Sequence, residues 1–428
     1  MIENEANEFL SFNRNMLLQC GMLFGGVCAG LWVNKYFMVI AAAFTVITAL
    51  FGKMEYSFYQ LFFTLPFSTI YKLSSASTSL FTYAMIAVGS IFIFRKRSFE
   101  KNFIVLSAIM AIYLIIGMGD NYTTVVKMIL GLYLLYIFVE RILPTDFKNH
   151  IMAFALGMLG SSCIGLLKGS WSRIDAYYSD MNSIYIGSVK SLRFSGLYLD
   201  PNYYSVSAVF AITLCIMLFI SKRGNRIMLG AVIGALTVFG FISYSKMFLI
   251  TISAVALILV IGGLKSLKKT LIVIFSVSVI STVVYKWMLH NNYITIMMDR
   301  FSGGDISTGR FGIWKVYTEY INNSITTFFF GDGLGAGYLS IGGPHNTYIE
   351  AVYYIGLFGI ALFLTTILNV FKCRKLDIKR DILNYTLPLV FLFMIATLGC
   401  LTINELMFYC MLLWISMNMR EDTTTCAL

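Results

Sequence analysis

The sequence predicts an all-α protein, a polytopic transmembrane helix bundle of about 12–14 helices with two long, partly helical external loops. Composition is the first observation, since 58% of the 428 residues are hydrophobic and only 12% are charged, far from the balance of a soluble domain. The second is the recurrence of apolar runs of roughly 17–25 residues, each long enough to cross a hydrocarbon core of about 30 Å as a helix. With a mean hydropathy of +0.78, the chain is expected to form a single transmembrane domain over residues 1–428.

The candidate spans follow one another along the chain, and their bounds are the ends of the apolar runs. The run at 57–72 is the weakest, because Pro66 interrupts it, and it can equally re-enter the membrane without crossing it. The predicted spans are 16–33, 36–52, 57–72, 78–94, 102–118, 122–140, 150–167, 202–221, 226–243, 246–263, 270–288, 346–371, 384–401 and 403–419.

Basic residues fall in short clusters between the apolar runs, and these clusters set the predicted orientation. Five clusters lie on one side when the spans alternate, and the positive-inside rule makes that side the cytoplasm. This arrangement puts 20 of the 32 Lys and Arg residues inside, together with both termini. The membrane therefore explains the net charge of +11, and no nucleic-acid partner is expected. The clusters are Arg95 to Lys101, Arg141 to Lys148, Lys222 to Arg226, Lys265 to Lys269 and Lys372 to Arg380.

Two long polar connections, about 168–201 and 289–345, fall on the outer face in this arrangement. Long loops in compact proteins are usually functional or disordered, and these two are rich in Trp, Tyr and Gly rather than in disorder-promoting residues. We therefore expect them to form folded caps over an external cavity.

The first candidate motif is the RFSGLYLDPN segment from Arg193 to Asn202, which leads into an apolar run. Asp-Pro-Asn is typical of a helix start, and an outward-facing helix N-terminus favours an anion. Arg193 can contact such an anion or anchor the helix among lipid headgroups. A second cation, Lys246, closes the tight SYSK turn that begins at Ser243, where it can bind a phosphate as a point charge or anchor its helix.

The third candidate region is the second long loop. Arg310 follows Gly309 and offers a planar fork suited to phosphate, with Trp314 one turn later. The glycine-rich run at 331–337 lacks the strand and βαβ unit of a nucleotide fingerprint, so a flexible or tightly turned cap fits better. His345 ends the loop, and with an ordinary pKa near 6.5 it can accept a proton at neutral pH or act only as a structural cap.

Several residues near the same predicted helix ends are weaker candidates. Asn346 adjoins His345, and Tyr348 at i+3 is better placed beside His345 than Glu350, which is turned about 140° away. Glu405 is predicted at the outer start of the last span and can reach the cavity from another helix. Carboxylates this close to a membrane are costly, which makes both Glu350 and Glu405 candidates for function.

Absent motifs narrow the chemistry. The sequence has no D-x-D pair on the outer side, no H-E-x-x-H, no G-x-S-x-G and no Walker A loop, which disfavours nucleotide-sugar transferases, metalloproteases, serine hydrolases and ATP-driven pumps. Its eight cysteines form no C-x-x-C pair, which argues against a zinc site or a disulfide framework. We expect no metal and no cofactor, and a site built from cations and one base.

These motifs, in this order, resemble those of the O-antigen polymerase (Wzy-type) and O-antigen ligase superfamily of polytopic membrane proteins. The resemblance covers about 150–420 and rests on the RFSGLYLDPN and SYSK segments, on Gly309-Arg310 with Trp314, on G-x-G near 331–335 and on His345-Asn346. Relatives often carry Arg where this chain has Lys246, so the resemblance implies a charge there but no bidentate phosphate contact.

The resemblance implies a glycosyltransferase of the bacterial inner membrane. An acceptor sugar hydroxyl would attack the anomeric carbon of an undecaprenyl-pyrophosphate-linked glycan on the periplasmic face, and the lipid pyrophosphate would leave. Arg193, Arg310 and Lys246 are assigned to the pyrophosphate, and His345 to general-base catalysis or acceptor orientation. Loop aromatics can stack on sugars or form an interfacial belt. Further candidate substrate contacts are Asn202, Asn346, Trp314, Tyr348 and Glu405.

Polymerisation of the repeat units of a surface polysaccharide, either O-antigen or capsule, is the first expectation, with a chain-length regulator protein as a further partner. A ligase that moves finished glycan onto the lipid A core uses the same donor and stays open as the alternative. A lipid-linked oligosaccharide flippase would show internal repeats and cations in the middle of the bundle, whereas this chain has no evident repeat and little mid-span charge.

Overall fold

A computed structural model of the chain describes residues 12–73, 78–96, 98–167, 183–186, 189–198, 200–263, 286, 309–372, 382–401 and 405–419. Regular structure in these ranges is helical apart from one short hairpin, β1 (Ser183–Ile186) and β2 (Val189–Leu192). The α-helices are α1 (Arg14–Trp32), α2 (Tyr36–Phe51), α3 (Met54–Thr64), α4 (Leu80–Lys96), α5 (Lys101–Ile116), α6 (Tyr122–Arg141), α7 (Phe147–Leu166), α8 (Pro201–Ile220), α9 (Arg226–Ile242), α10 (Lys246–Gly263), α11 (Arg310–Asn322), α12 (Ile325–Phe330), α13 (Thr347–Lys372), α14 (Ile382–Thr397) and α15 (Glu405–Asn418).

Within the described residues, five helices are long and apolar enough to cross a membrane: α1, α6, α7 with the 3-10 turn that precedes it, α8 and α13. The same residues contain six shorter apolar helices, namely α2, α5, α9, α10, α14 and α15. The helical class is therefore confirmed and the apolar helices support the predicted membrane character, while the total of 12–14 spans stays a prediction. The span predicted at 270–288 and the loop residues 289–308 lie outside the described residues, except for Lys286.

The run predicted at 57–72 is shorter as a helix than its hydropathy indicates. Helix α3 ends at Thr64 and passes into the 3-10 turn Leu65–Phe67, which contains Pro66. Its 11 residues rise about 16 Å, roughly half of a hydrocarbon core. All eight residues from Ser57 to Thr64 are buried. Thus α3 is a short, buried core helix, and whether the whole run at 57–72 spans or re-enters the membrane stays open.

Helix α8 is the most deeply buried of the five candidate membrane helices, and it packs against α7, α9, α10 and α14. Two of its buried serines bond within the helix: the hydroxyl of Ser205 donates to the carbonyl of Pro201 at 2.5 Å, and that of Ser207 to the carbonyl of Tyr203 at 2.8 Å. In a low-dielectric interior such bonding avoids the penalty of an unpaired polar group. The start of α8 is therefore carried by a rigid central helix.

Helix α13 is interrupted at Gly356, where φ is +59° and ψ is 178°. Such a break frees carbonyl groups that an intact helix would pair. The amide of Asp332 donates to Tyr353 at 2.8 Å and that of Gly333 to Tyr354 at 3.0 Å. The phenol of Tyr113 donates to the carbonyl of Ile355 at 2.7 Å. The loop before α13 is thereby fastened to the middle of this helix.

The glycine-rich run in this loop packs directly on the connection between α5 and α6. The amide of Gly335 donates to the carbonyl of Gly117 at 2.9 Å, and a Cβ added at Gly117 would lie 2.8 Å from the Cα of Gly333. Side chains at Gly117 and Gly333 would prevent this close approach of the two backbone segments. Gly333 also adopts a φ of +85°, which favours glycine. Of the two predicted alternatives, flexible or tightly turned, the structure therefore shows the tight turn, with close packing as its cause.

The two long loops differ in structure. The described part of the second contains helices α11 and α12, as expected. The described part of the first instead contains the antiparallel hairpin, in which Ile186 is opposite Val189. The intervening residues in the sequence are Gly-Ser, which is a hairpin turn signal.

Candidate functional site

The sequence motifs meet at one end of the bundle, where α8, α10, α11 and α13 begin and α9 and α14 end. Helix α8 starts at Pro201, and the Asp200 carboxylate caps it by accepting the amide of Asn202 at 2.6 Å. Proline fits the first helical position because its missing N–H would be unpaired there anyway. The predicted helix start is confirmed, and its orphan amides provide a positive dipole end.

Arg193 joins the start of α8 to the turn between α9 and α10. Its Nε donates to the carbonyl of Ser243 and its Nη2 to Asn202 Oδ1, both at 3.4 Å. The hydroxyl of Ser245 donates to the same Asn202 oxygen at 2.9 Å. Arg193 is partly exposed, and these bonds fix its guanidinium beside the start of α8.

Lys246 lies deeper than its position in a short turn predicts. It begins α10, and only 9% of the residue is exposed, next to the fully buried Ser243 and Ser245 of the same turn. The turn is tight because Tyr244 adopts a φ of +48° and Ser243 accepts the amide of Ser245 at 3.3 Å. Lys246 therefore contributes charge to this end of the bundle but offers much less contact area than Arg193.

Arg310 approaches the start of α8 from the other side. It is the first residue of α11, and its Nη1 donates to the carbonyl of Thr397 at 2.9 Å, at the end of α14. Burial lowers the pKa of Arg310, and the nearby Asp200 and Tyr203 oppose that shift. The guanidinium is partly exposed and stays charged, since arginine keeps its proton in proteins.

His345 ends the loop at the same place, and the residue is exposed and has a φ of +46°. Packing of the surrounding protein lowers the pKa of His345, the positive charge of Arg310 lowers it further, and Asp200 raises it. The net shift is downward from the ordinary value of 6.5, so the ring is neutral at pH 7 and able to accept a proton. Asp200 lies near both Arg310 and His345.

The turn that carries His345 is fixed by helix α11. Trp314 Nε1 donates to the carbonyl of Pro344 at 2.7 Å, and the Tyr317 hydroxyl donates to that of Gly342 at 2.9 Å. The same Tyr317 oxygen accepts the amide of Leu339 at 3.0 Å. Trp314, predicted as a substrate contact, thus has a positioning role through its indole, while its partly exposed ring remains available.

The remaining predicted substrate contacts differ in their surroundings. Asn346 is buried and caps α13, since its Oδ1 accepts the amides of Tyr348 at 2.9 Å and Ile349 at 3.2 Å. Tyr348 is 47% exposed on the first turn of α13. Glu405 instead accepts the Ser68 hydroxyl at 3.2 Å, so it is engaged with the segment that follows α3.

Among the loop aromatics, Tyr198 is buried and therefore unavailable for stacking on a sugar. Trp171, Tyr177 and Tyr178 lie outside the described residues, as does the side chain of Tyr185. Within the described ranges, no group of three His, Cys, Asp or Glu side chains is close enough to hold a metal ion.

Two functional residues were missed by reasoning from sequence. Asp200 was recognised as part of a helix start, but its proximity to Arg310 and His345 arises only when three helix starts meet. Thr397 contributes a backbone carbonyl, which no side-chain pattern signals. The available signal for Asp200 was its place inside the motif that contains Arg193.

Asp200→Asn tests the electrostatics of the site. Asparagine also caps helices well, so α8 should keep its start while the negative charge disappears. Because Asp200 raises the pKa of His345, we expect the variant to lower that pKa, so that the neutral ring persists to lower pH. The measurement is the pH dependence of His345 modification by diethyl pyrocarbonate, followed by peptide mass spectrometry. An unchanged or upward-shifted titration would contradict this arrangement.

No protein-family model, curated protein or solved structure matches this chain. The family resemblance of the motifs therefore stays an expectation.

Proposed function

We propose that the protein is a glycosyltransferase that uses a lipid-pyrophosphate-linked glycan as donor, and that it polymerises the repeat units of a surface polysaccharide. The observation that carries the proposal is the convergence of Arg193, Arg310 and the exposed His345 around the capped start of α8. Two partly exposed cations and one neutral base meet at a helix N-terminus, which suits a reaction whose leaving group is a polyanion.

The cations and the helix start support departure of the pyrophosphate. As the glycosidic C–O bond breaks, the electron pair goes to the phosphate oxygen, and the leaving group carries two or three negative charges. Preorganised donors stabilise such charge strongly where water is partly excluded. Arg193 and Arg310 can contact the phosphates, while the buried Lys246 and the N-terminal dipole of α8 add positive potential at the same end of the bundle.

His345 supplies the base. The acceptor hydroxyl oxygen forms the new bond to the anomeric carbon, and its proton passes to an imidazole nitrogen. A neutral ring at pH 7 is required for that step, and the downward pKa shift of His345 supports it. Asp200 lies near enough to favour the imidazolium once it has formed.

The orientation is part of the proposal: a multi-pass protein of the bacterial inner membrane with both termini in the cytoplasm and the site on the periplasmic face. Basic residues support it, because Arg95 and Arg141 end α4 and α6 and Arg226 begins α9, at the helix ends opposite the site. The positive-inside rule makes that end cytoplasmic. The expected partners are the undecaprenyl-pyrophosphate-linked oligosaccharide, membrane lipid and a chain-length regulator.

Reconstitution with a defined undecaprenyl-pyrophosphate-linked repeat unit tests the reaction. We expect a ladder of products that differ by one repeat, formed by purified protein without added metal. If the protein instead transfers glycan to an added lipid A core and makes no ladder, the ligase is the correct assignment. Neither product from folded protein would overturn glycosyl transfer altogether.

A further inference from the structure

The segment from Thr397 to Leu401, here called the strap, follows directly after α14 in the chain. Hydrogen bonds join it to the first residues of α13. The Thr347 hydroxyl holds it at two points, donating to the carbonyl of Leu398 at 2.6 Å and accepting the amide of Cys400 at 2.9 Å. Thr347 is buried and is the first residue of α13. One hydroxyl therefore pairs two backbone groups of the strap.

Two more buried side chains fix the rest of the strap. Glu350 is 1% exposed, and its Oε2 accepts the amide of Leu401 at 3.1 Å. The Tyr203 hydroxyl, from α8, donates to the carbonyl of Gly399 at 2.5 Å. A Cβ added at Gly399 would lie 3.1 Å from the Glu350 carboxylate, so the strap passes close against it. Three helices thus meet on five residues of backbone.

The strap in turn holds Arg310, whose Nη1 donates to the Thr397 carbonyl at 2.9 Å. Thr347 is two residues after His345. The first turn of α13, which follows His345, therefore also holds the strap whose Thr397 carbonyl accepts Arg310. We propose that Thr347 and Glu350 are positioning residues that, through the strap, hold Arg310 beside His345. Its catalytic consequence rests on the proposed glycosyl transfer, whereas the positioning itself does not.

This inference gives Glu350 a role that its helical position does not suggest. The carboxylate of Glu350, five positions after His345, bonds Leu401 of the strap. A carboxylate so deeply buried needs a partner, and the Leu401 amide provides one for Oε2. Glu350 therefore acts on the site indirectly. It fixes Leu401 at one end of the strap, and the Thr397 carbonyl at the other end accepts the hydrogen bond from Arg310.

Thr347→Val is the sharpest test, because it keeps the side-chain shape and removes only the hydroxyl. Thr347→Ser restores the hydroxyl and serves as the rescue. Thr365→Val is the matched control, since Thr365 lies on the same helix, is exposed, and donates only to its own helix at Ala361, at 2.7 Å. Arg310→Gln is the reference for complete loss of the cation.

The first readout is the titration of His345, measured by diethyl pyrocarbonate modification and mass spectrometry. Among the described residues, Arg310 and Asp200 are the charged groups that act on His345, and Arg310 lowers its pKa. A loosened Arg310 should therefore let the His345 titration move upward in Thr347→Val, in the same direction as in Arg310→Gln. Thr347→Ser and Thr365→Val should titrate like the wild type. Because loss of packing around His345 would also raise its pKa, the titrations are compared only between variants whose thermal stability matches that of the wild type.

The second readout is turnover in the reconstituted reaction, where Thr347→Val should lose about 10- to 100-fold, mainly in kcat, with recovery in Thr347→Ser. If Arg310→Gln moves the titration and Thr347→Val does not, the strap has no positioning role and the proposal is wrong. A wild type that makes no ladder overturns the proposed function instead, while the titration still decides the role of the strap.

Discussion

Replacing His345 by Asn should lower the rate of polymer formation about 10²- to 10⁴-fold, the usual contribution of a general base. Asparagine is the sharpest substitution because it also tolerates a positive φ, which is +46° here. The asparagine side chain cannot take up the proton of the attacking sugar hydroxyl at neutral pH. His345→Ala should likewise abolish polymer at intact expression, although it adds backbone strain. The measurement is the initial rate of repeat addition by protein of matched thermal stability.

The pH dependence distinguishes a base from a residue that only orients the acceptor. Wild-type turnover should fall on acidification through a pKa below 6.5, because packing and Arg310 lower the pKa of His345. In His345→Asn, turnover should be low at every pH, and its fall on acidification should disappear. Unaltered polymer length and rate in His345→Asn would remove the residue from the mechanism.

Arg310→Gln should lower turnover about 10²- to 10³-fold, the range found when one preorganised donor to a developing anion is removed. Glutamine keeps a hydrogen-bond donor near the Thr397 carbonyl but has no charge to place on the pyrophosphate. Arg310→Lys should be only a partial rescue, since an ammonium group lacks the planar fork that can bond Thr397 and a phosphate together. The measurement is kcat and KM for the lipid-linked donor.

Lys315→Gln is the matched control on the same helix. Lys315 is exposed and lies 3.8 Å from Glu319, a surface pair of the kind that contributes little. We expect wild-type kinetics from this variant. Equal losses in Lys315→Gln and Arg310→Gln would show that charge on α11 acts generally, and would contradict a specific phosphate contact by Arg310.

Local signals predicted the parts of the site that depend on neighbouring residues. The Asp-Pro-Asn motif predicts the start of α8 because capping and proline geometry act within one turn. The apolar runs likewise predict most helix bounds, since the hydrocarbon thickness sets their length. At 57–72 the same rule fails, because Pro66 ends the helix and the apolar side chains are buried by neighbouring helices.

Packing between distant elements could not be read from the sequence. The sequence predicts Lys246 in a tight external turn, but α10 begins at this residue and the surrounding protein buries it. Asn346 was expected to bind substrate, whereas its amide caps α13. The strap depends on backbone carbonyls and amides from Thr397 to Leu401, and backbone groups carry no residue signature. The glycine-rich run was ambiguous until its partner, the connection between α5 and α6, was known.

The most direct test of the account is the release of undecaprenyl pyrophosphate by purified protein reconstituted with a defined lipid-linked repeat unit. The account predicts one lipid pyrophosphate for each glycosidic bond formed by the wild type and by Lys315→Gln, and strongly reduced release by His345→Asn and Arg310→Gln. Polymer formation without matching lipid pyrophosphate release, or wild-type release by both site variants, would contradict it.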